Sequence, residues 1–499
     1  MDRDLQSIQE ARDLARRSKE AQKAFEEFSQ EAVDRIVEAV AKKALENAEY
    51  LAKLAIEETK LGVYEDKVTK NRFAAEFTYN YIKDLKTAGF IKEDREKGIY
   101  EIAEPAGAIA AIIPTTNPTS TVIHNALIAL KARCTIVFSP HPRAQKCSYE
   151  TAKLLEEAAR GAGAPPDTIQ CLTIITVEGT DALMRHPDID LILATGGTAL
   201  VKKAYSVGKP AIGVGPGNVP AYIERSANVE RAVRNIIASK TFDNGVVCAS
   251  EQAVIVDRVI SDRVRNEFIR QNCYFMTREE AKKVESILFS PKGLPSPDIV
   301  GQPAPFIARK AGIEVPPDTK ILIAELEDVG ENYPLSKEKL SPVLAYYEVE
   351  DWREGCELCM KMLEFGGLGH TLVIHSENEE IIREFALKKP AFRILVNTGG
   401  THGAIGYSTN LPPSMTLGCG TWGGGITSDN VTPMHLIQIK RLAYPVRDVV
   451  LSPRIQDGRS AVEIAHLRHS EPIRTPERTL SEEEIEKIVR EFLAERFKK

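Results

Sequence analysis

Between residues 107 and 214 short apolar runs alternate with amphipathic stretches, at a spacing that very few folds accommodate. Residues 108–113, 134–138, 169–176, 190–194 and 210–214 read as strands. Residues 120–133, 146–160, 181–185 and 199–207 between them carry helical periodicity. A strand, a helix and a returning strand leave the two strands parallel, and a parallel sheet needs helices on both faces. The expected fold is therefore α/β, with a Rossmann-like sheet whose ligand sits beyond the carboxyl ends of its strands.

The alternation restarts after Cys248. Strands are expected at 252–257, 321–326, 343–349, 371–375 and 393–397, and helices at 263–271, 278–288, 352–364 and 379–388. This reads as a second α/β domain that starts at the cysteine loop. Ahead of both, residues 4–60 and 67–86 are helical in pattern. The alternation of Ile99–Glu104 suits an exposed strand that pairs outside its own domain, and 437–445 a returning strand. The division expected is 1–246 for a nucleotide-binding domain (with an oligomerisation strand at about 93–106), 247–430 for a catalytic domain, 431–451 for the returning strand, and 452–499 for a linker and a C-terminal helix. That last helix, 480–497, carries a capping box (Ser481 and Glu484) and one apolar stripe.

Bulk properties narrow the function. At 499 residues the chain exceeds one core. A formal charge of −6 without basic blocks argues against a nucleic-acid partner. The longest apolar run, 106–114, is too short to span a bilayer, and the charged N-terminus has no signal-peptide core. Eight cysteines without regular spacing read as reduced thiols, so a cytoplasmic enzyme is expected.

One of those cysteines stands apart. Cys248 follows an Asn-Gly turn and lies between Val246, Val247, Ala249 and Ser250, with no bulky neighbour to block a small electrophile. A nucleophile there must work as thiolate. By itself a lone cysteine is as well explained as a small buried hydrophobe. Three other patterns receive plain readings. Gly418–Gly423 spells G-x-G-x-x-G without a preceding strand, Cys356 and Cys359 sit on a helical core pattern, and His466 and His469 lie in the linker. No metal site is expected.

Eight segments then follow one another in order: EPAGAIAAIIPTTNPTST (104–121), FSPHPRAQK (138–146), ATGGTALVKKAY (194–205), GVGPGNVPAYI (213–223), FDNGVVCASEQAVI (242–255), EKLSPVLA (338–345), GLGHTLVIHS (367–376) and LGCGTWGGG (417–425). Together they resemble the CoA-acylating aldehyde dehydrogenases, in particular the aldehyde-dehydrogenase half of bifunctional aldehyde-alcohol dehydrogenases. The resemblance covers about residues 10–445, without the alcohol dehydrogenase half, so alcohol formation is not expected. It implies that Cys248 attacks a short-chain aldehyde, that NAD takes the hydride, and that coenzyme A collects the acyl group. It implies further that the Asn117 amide and the Cys248 backbone N–H hold the oxyanion. Asn117 alone would also suit an Asn-Pro turn.

Cofactor contacts implied by the resemblance are Thr195, Gly196, Gly197 and Gly215 near the pyrophosphate, Glu338 at the nicotinamide ribose, and Ser139, Pro140 and His141 at the adenosine ribose. NAD is expected over NADP. Hydrolysing relatives carry a glutamate that activates water where this chain has Gly213, which favours acyl-CoA over free acid. His370 is either the base or contact for CoA, or a packed histidine at a strand end. The aldehyde stays open among acetaldehyde, propionaldehyde and sulfo- or hydroxyacetaldehyde. A homodimer or homotetramer is expected. The C-terminal helix either directs the enzyme to a bacterial microcompartment shell or docks on its own oligomer. A non-acylating dehydrogenase, a phosphate-activated reductase and a non-catalytic scaffold are the competing readings.

Overall fold

The computed structural model describes residues 2–290 and 293–447. The chain divides into a large unit, Met1–Gly89 with Ala103–Ile439, and a small one, Phe90–Ile102 with the chain from Lys440 on. The expected linker and C-terminal helix of 452–499 lie outside the described residues.

The chain opens with three helices, Arg3–Phe25, Gln30–Glu46 and Ala48–Thr59. Asp2 and Ser29 cap the first two by accepting from the N–H groups of Asp4 and Ala32. Val33, Ile36, Val37, Val40 and Ala44 form the buried stripe of the second helix, each large side chain contributing about 1.5–3 kcal/mol of burial free energy. A fourth helix, Tyr64–Arg72, runs through a π turn at Phe73–Phe77 into Thr78–Ile82.

Strands β1 (Gly89–Asp94) and β2 (Ile99–Pro105) form a small three-stranded sheet with the last strand, β15 (Ile437–Ala443), in the order β1-β2-β15. Next come β3 (Ile109–Ile113), β4 (Ile136–Pro140), β5 (Ile169–Cys171), β6 (Leu191–Thr195) and β7 (Ala211–Val214). They make an all-parallel sheet in the order β5-β4-β3-β6-β7, with Ile109 opposite both Ile136 and Leu191. Chain direction across this sheet reverses between β3 and β6, which opens a crevice at their carboxyl ends. Every residue of β3 is buried, as is every residue of the Pro118–Lys131 helix that follows it. An uninterrupted apolar run is what a strand covered on both faces requires.

A second parallel sheet holds β8 (Val219–Ile223), β9 (Glu251–Asp257), β10 (Cys273–Phe275), β11 (Ile321–Glu325), β12 (Val343–Val349), β13 (Gly369–His375) and β14 (Ala391–Val396). Their order is β10-β11-β12-β9-β8-β13-β14. The sequence reading starts the catalytic domain at 247, yet this sheet already contains β8, which pairs with β9 and β13. Val-Pro-Ala-Tyr-Ile, just past Gly-Pro-Gly-Asn, has the sequence of a loop yet forms β8, and the Val229–Thr241 helix follows it. The strand expected at 169–176 stops at Cys171. Beyond it the N–H groups of Thr173 and Ile174 donate to the Glu10 carboxylate at 2.8–3.1 Å and leave the ladder. Among the described residues no helix is long and apolar enough to cross a membrane.

Candidate active site

The loop that carries Cys248 is built on an unusual turn. After the Val229–Thr241 helix, Asp243, Asn244 and Gly245 all take positive φ (50°, 53° and 72°). That conformation is rare for residues with a side chain. The chain then passes Val246, Val247 and the half-buried Cys248 before Ser250 N–H closes onto the Val247 carbonyl at 2.9 Å. The loop therefore presents Cys248 at the amino end of β9.

Gly217 allows a close approach behind the cysteine. A Cβ at 217 would lie 2.1 Å from the Cys248 carbonyl oxygen and 3.2 Å from His370 Nδ1. His370 on β13 is fully buried. Its Nδ1 pairs with Thr371 Oγ1 at 2.9 Å, and its Nε2 has no hydrogen-bond partner among the described residues. Burial, reinforced by the Arg393 guanidinium, holds its pKa well below the ordinary histidine range, so the ring is neutral at pH 7.

A cavity of about 530 Å³ joins the two sheets' ends. Its walls include Thr115–Asn117 after β3, Ser139, Pro140 and His141 at the end of β4, Thr195–Gly197 at the end of β6, and Gly215 after β7. Cys248 and Glu338 line the same space. The structure thus brings together every candidate residue except His370, which is not on the cavity wall. Gly197 starts the Thr198–Tyr205 helix without a side-chain cap, so first-turn N–H groups are left for a ligand. Thr195 Oγ1 is shielded from solvent without a partner among the described residues. A dinucleotide phosphate would satisfy both sets of donors, and these residues fit such a group.

Electrostatics around the thiol run against ionisation. Burial pushes the Cys248 thiol up to about 12, and the charges of Glu338 and Cys419 add to that, while Arg393 opposes it. Glu338 accepts from the Gly217 N–H at 3.2 Å. Burial raises its carboxyl to about 7, against the pull of that N–H and of Lys240. It is the only carboxylate lining the cavity among the described residues. Gly213 does not line it. A Cβ there would meet Val201 Cγ1 at 2.6 Å and Tyr205 Oη at 2.8 Å, so Tyr205 fills the room a glutamate would need.

Asn117 caps no N–H with its side chain. Its Oδ1 instead accepts from Lys70 Nζ at 2.5 Å, and its Nδ2 donates to Thr116 Oγ1 at 3.1 Å, which leaves one amide hydrogen free of both. Sequence reasoning missed Lys67, Lys70, Asp243, Lys240, Glu251, Lys339 and Arg393, the buried charges beneath this site. A Lys-x-x-Lys pair on a helix with few apolar residues was the one available signal. Cys356 and Cys359 pack into the buried core from their helix, His466 and His469 lie outside the described residues, and no group of three or more metal-ligating side chains is found among the described residues.

Comparison with known proteins places the fold in a family. The model of the aldehyde dehydrogenase family matches residues 4–274. The bifunctional aldehyde-alcohol dehydrogenase of Escherichia coli is 47% identical over 442 residues, 88% of this chain but 50% of that enzyme, so the chain spans about half its length. An acetylating aldehyde dehydrogenase from Geobacillus thermoglucosidasius superposes with a TM-score of 0.89 at 54% identity, covering 91% of this chain and 100% of that one. A propionaldehyde dehydrogenase from Rhodopseudomonas palustris, solved with bound CoA and an acylated cysteine, gives 0.79 at 28% identity, covering 87% and 97%. The chain belongs to the aldehyde dehydrogenase family. Within it, the chain is similar to members named as acetylating: the Geobacillus enzyme, and a succinate-semialdehyde dehydrogenase of Clostridium kluyveri that is 39% identical over 434 residues, 87% of this chain and 95% of that one.

Proposed function

We propose that the chain oxidises a short aldehyde to acyl-CoA with NAD, through a covalent adduct on Cys248. The observation that carries this reading is a cysteine and an amide donor on one cavity at the sheet's carboxyl edge, with no carboxylate at position 213. Cys248 gives its proton to solvent, its Sγ attacks the aldehyde carbon, and the carbonyl electron pair moves onto oxygen. The free Nδ2–H of Asn117 and the Cys248 N–H receive that charge, each such donor being worth about 3–4 kcal/mol of barrier. When bound, the dinucleotide accepts the hydrogen and two electrons that leave the aldehyde carbon. Thr195–Gly197 and Gly215 hold its phosphates, Glu338 its nicotinamide ribose, and Ser139–His141 its adenosine ribose.

A thioester on Cys248 then meets a second nucleophile. Position 213 offers no carboxylate to activate water, and Glu338 is engaged by the nicotinamide ribose in this reading, so the CoA thiol takes the acyl group and Cys248 Sγ leaves as thiolate. His370 is the CoA contact in this reading: its ring is neutral at pH 7 and its Nε2 has no hydrogen-bond partner among the described residues. Ile405, Met415 and Leu417 line the same cavity and favour a short uncharged aldehyde over a sulfonated one. The small sheet β1-β2-β15 supports assembly into a homodimer or homotetramer by strand pairing.

The test is NADH formation from acetaldehyde with and without CoA, repeated with NADP. A strict CoA requirement is expected. Equal rates without CoA would establish the hydrolytic reading instead, and no signal with any small aldehyde would establish a scaffold.

A further inference from the structure

The Tyr64–Arg72 helix carries two lysines one turn apart, Lys67 and Lys70, and both are buried. Each touches the loops of both proposed oxyanion donors. Lys67 Nζ donates to Asp243 Oδ2 at 2.9 Å and to the Thr116 carbonyl at 3.1 Å. Lys70 Nζ donates to the same Asp243 oxygen and to Asn117 Oδ1. Asp243 belongs to the nucleophile's loop, five positions before Cys248. Its other oxygen accepts from Val63 N–H at 2.7 Å, and its own N–H donates to Asp66 Oδ2 at 2.7 Å. Even the turn before the helix is shaped to this carboxylate. Gly62 has φ +84°, and a Cβ there would lie 1.8 Å from Asp243 Oδ1.

We propose that Lys70, anchored by Asp243, is the positioning residue of the oxyanion site: it fixes which end of the Asn117 amide faces the reacting carbonyl. The physical argument is directional. An amide has one end that donates and one that accepts. An ammonium has only donors, so Oδ1 must turn toward Lys70 and the Nδ2 hydrogens must turn away from it. Without Lys70 the amide is free to rotate and offer Oδ1, which repels a developing oxyanion. Because Asp243 shares its loop with Cys248, the same contact holds the two donors at a fixed separation, and a misplacement of about 1 Å is enough to cost ~100-fold in rate. The inference rests on the reading of Asn117 as an oxyanion donor.

Charge supplies a second readout. Burial brings the Lys70 ammonium down to about 8, against the opposing pull of Asp243 and Asp66 and with the repulsion of Lys67, the charged groups that face it. As pH rises through that value Lys70 loses its charge, and its grip on Oδ1 weakens.

The experiment compares Lys70→Met, Lys70→Arg, Asn117→Ala and the double variant Lys70→Met/Asn117→Ala in the full-length chain. Thermal melting and iodoacetamide labelling of Cys248 report folding. Asn117→Ala is expected to lower kcat by about 100- to 1,000-fold. Lys70→Met should lower it by about 10- to 100-fold, with the aldehyde KM changed less than threefold. It should cost nothing further in the Asn117→Ala background. Lys70→Arg should recover part of the rate and remove the loss of kcat above about pH 8, since arginine keeps its charge. If Asn117→Ala leaves kcat unchanged, the oxyanion assignment fails and takes this proposal with it. If Asn117→Ala is slow but Lys70→Met is either harmless or fully additive with it, the assignment stands and the proposal is overturned. A Lys70→Met protein that melts early is decided by Lys70→Arg, whose failure to recover both the rate and the alkaline limb would also overturn it.

Discussion

The cavity has two unlike sides. At the edge of the five-stranded sheet the wall is backbone and small side chains, Thr195, Gly196, Gly197 and Gly215, with donors left open. Beneath the cysteine the structure is crowded with buried charge. Lys240 Nζ reaches Ser250 Oγ and Gln252 Oε1 at 3.3 Å, and Glu251 accepts from Ser239 Oγ at 2.5 Å and Gly400 N–H at 2.6 Å. Lys339 Nζ donates to the carbonyls of Gln252, Leu335 and Lys337 at 2.7–3.1 Å. Under the proposed function the contrast follows from what each side must do. A diffusible cofactor needs room and exchangeable hydrogen bonds. A nucleophile needs its loop held still, and buried charges do this because each is costly to leave unpaired.

If that division is right, substitutions under the cysteine should act on kcat and those at the sheet edge on KM. The largest effect belongs to the sulfur itself. Cys248→Ala should lower CoA-dependent NADH formation by more than about 10⁴-fold, because an acyl intermediate has no other place to form. Trapping the wild type with aldehyde and NAD, without CoA, should show the acyl mass on the peptide that contains residue 248. An adduct on another cysteine would break the comparison at its centre.

Gly217→Ala comes next. Its Cβ would press within 2.1 Å of the Cys248 carbonyl oxygen, a backbone atom that cannot rotate aside. We expect kcat to fall about 10- to 100-fold and stability to fall by about 1–3 kcal/mol, with the NAD KM nearly unchanged. Steady-state kinetics and urea unfolding check both.

How much of this the sequence disclosed divides along the same line. The open side was legible: β3, β4, β6 and β7 stand out as apolar runs, and Thr195–Gly197 ends one of them. Cys248 and Asn117 stand out only through the ordered motifs around them, and both line the same cavity. The charged side was not. On the Tyr64–Arg72 helix the buried residues are Lys67, Lys70 and Asn71, so the face that packs inward carries the polarity a solvent face is expected to carry. Periodicity measures apolar burial, and a helix that buries its charges inverts the signal. The same blindness hides Lys240 and Glu251, whose neighbours in sequence are unremarkable. Strand β8 was missed for a different reason: its proline and its glycine-rich approach are turn signals, outweighed in the fold by pairing with β9 and β13.

Glu338 tests the boundary between the two sides, because it lines the cavity and also raises the thiol. Its carboxylate opposes formation of the Cys248 thiolate, so its removal should lower the thiol pKa. In Glu338→Gln, without cofactor, iodoacetamide should label Cys248 about three- to tenfold faster at pH 8, which is ~0.7–1.4 kcal/mol in favour of the thiolate. In the wild type the carboxyl is charged only above about pH 7, so below pH 6 the two proteins should label at the same rate. Equal rates at pH 8 would mean that Glu338 has no hold on the thiol.

The smallest expected effect is at Gly196. A Cβ there would meet Leu200 Cδ2 at 2.9 Å, the far end of a flexible side chain that can move aside. The fold should tolerate Gly196→Ala, but the added methyl narrows the space where a phosphate approaches the first turn of the Thr198–Tyr205 helix. We expect the NAD KM to rise about three- to tenfold, ~0.7–1.4 kcal/mol of binding, with kcat and Cys248 labelling within twofold of wild type. The comparison turns on the pairing of this result with Gly217→Ala. One methyl group added on either side of the same cavity should move two different constants. Should Gly196→Ala depress kcat as strongly as Gly217→Ala does, the sheet edge would be part of the device that holds the nucleophile, and the two sides would have to be treated as one.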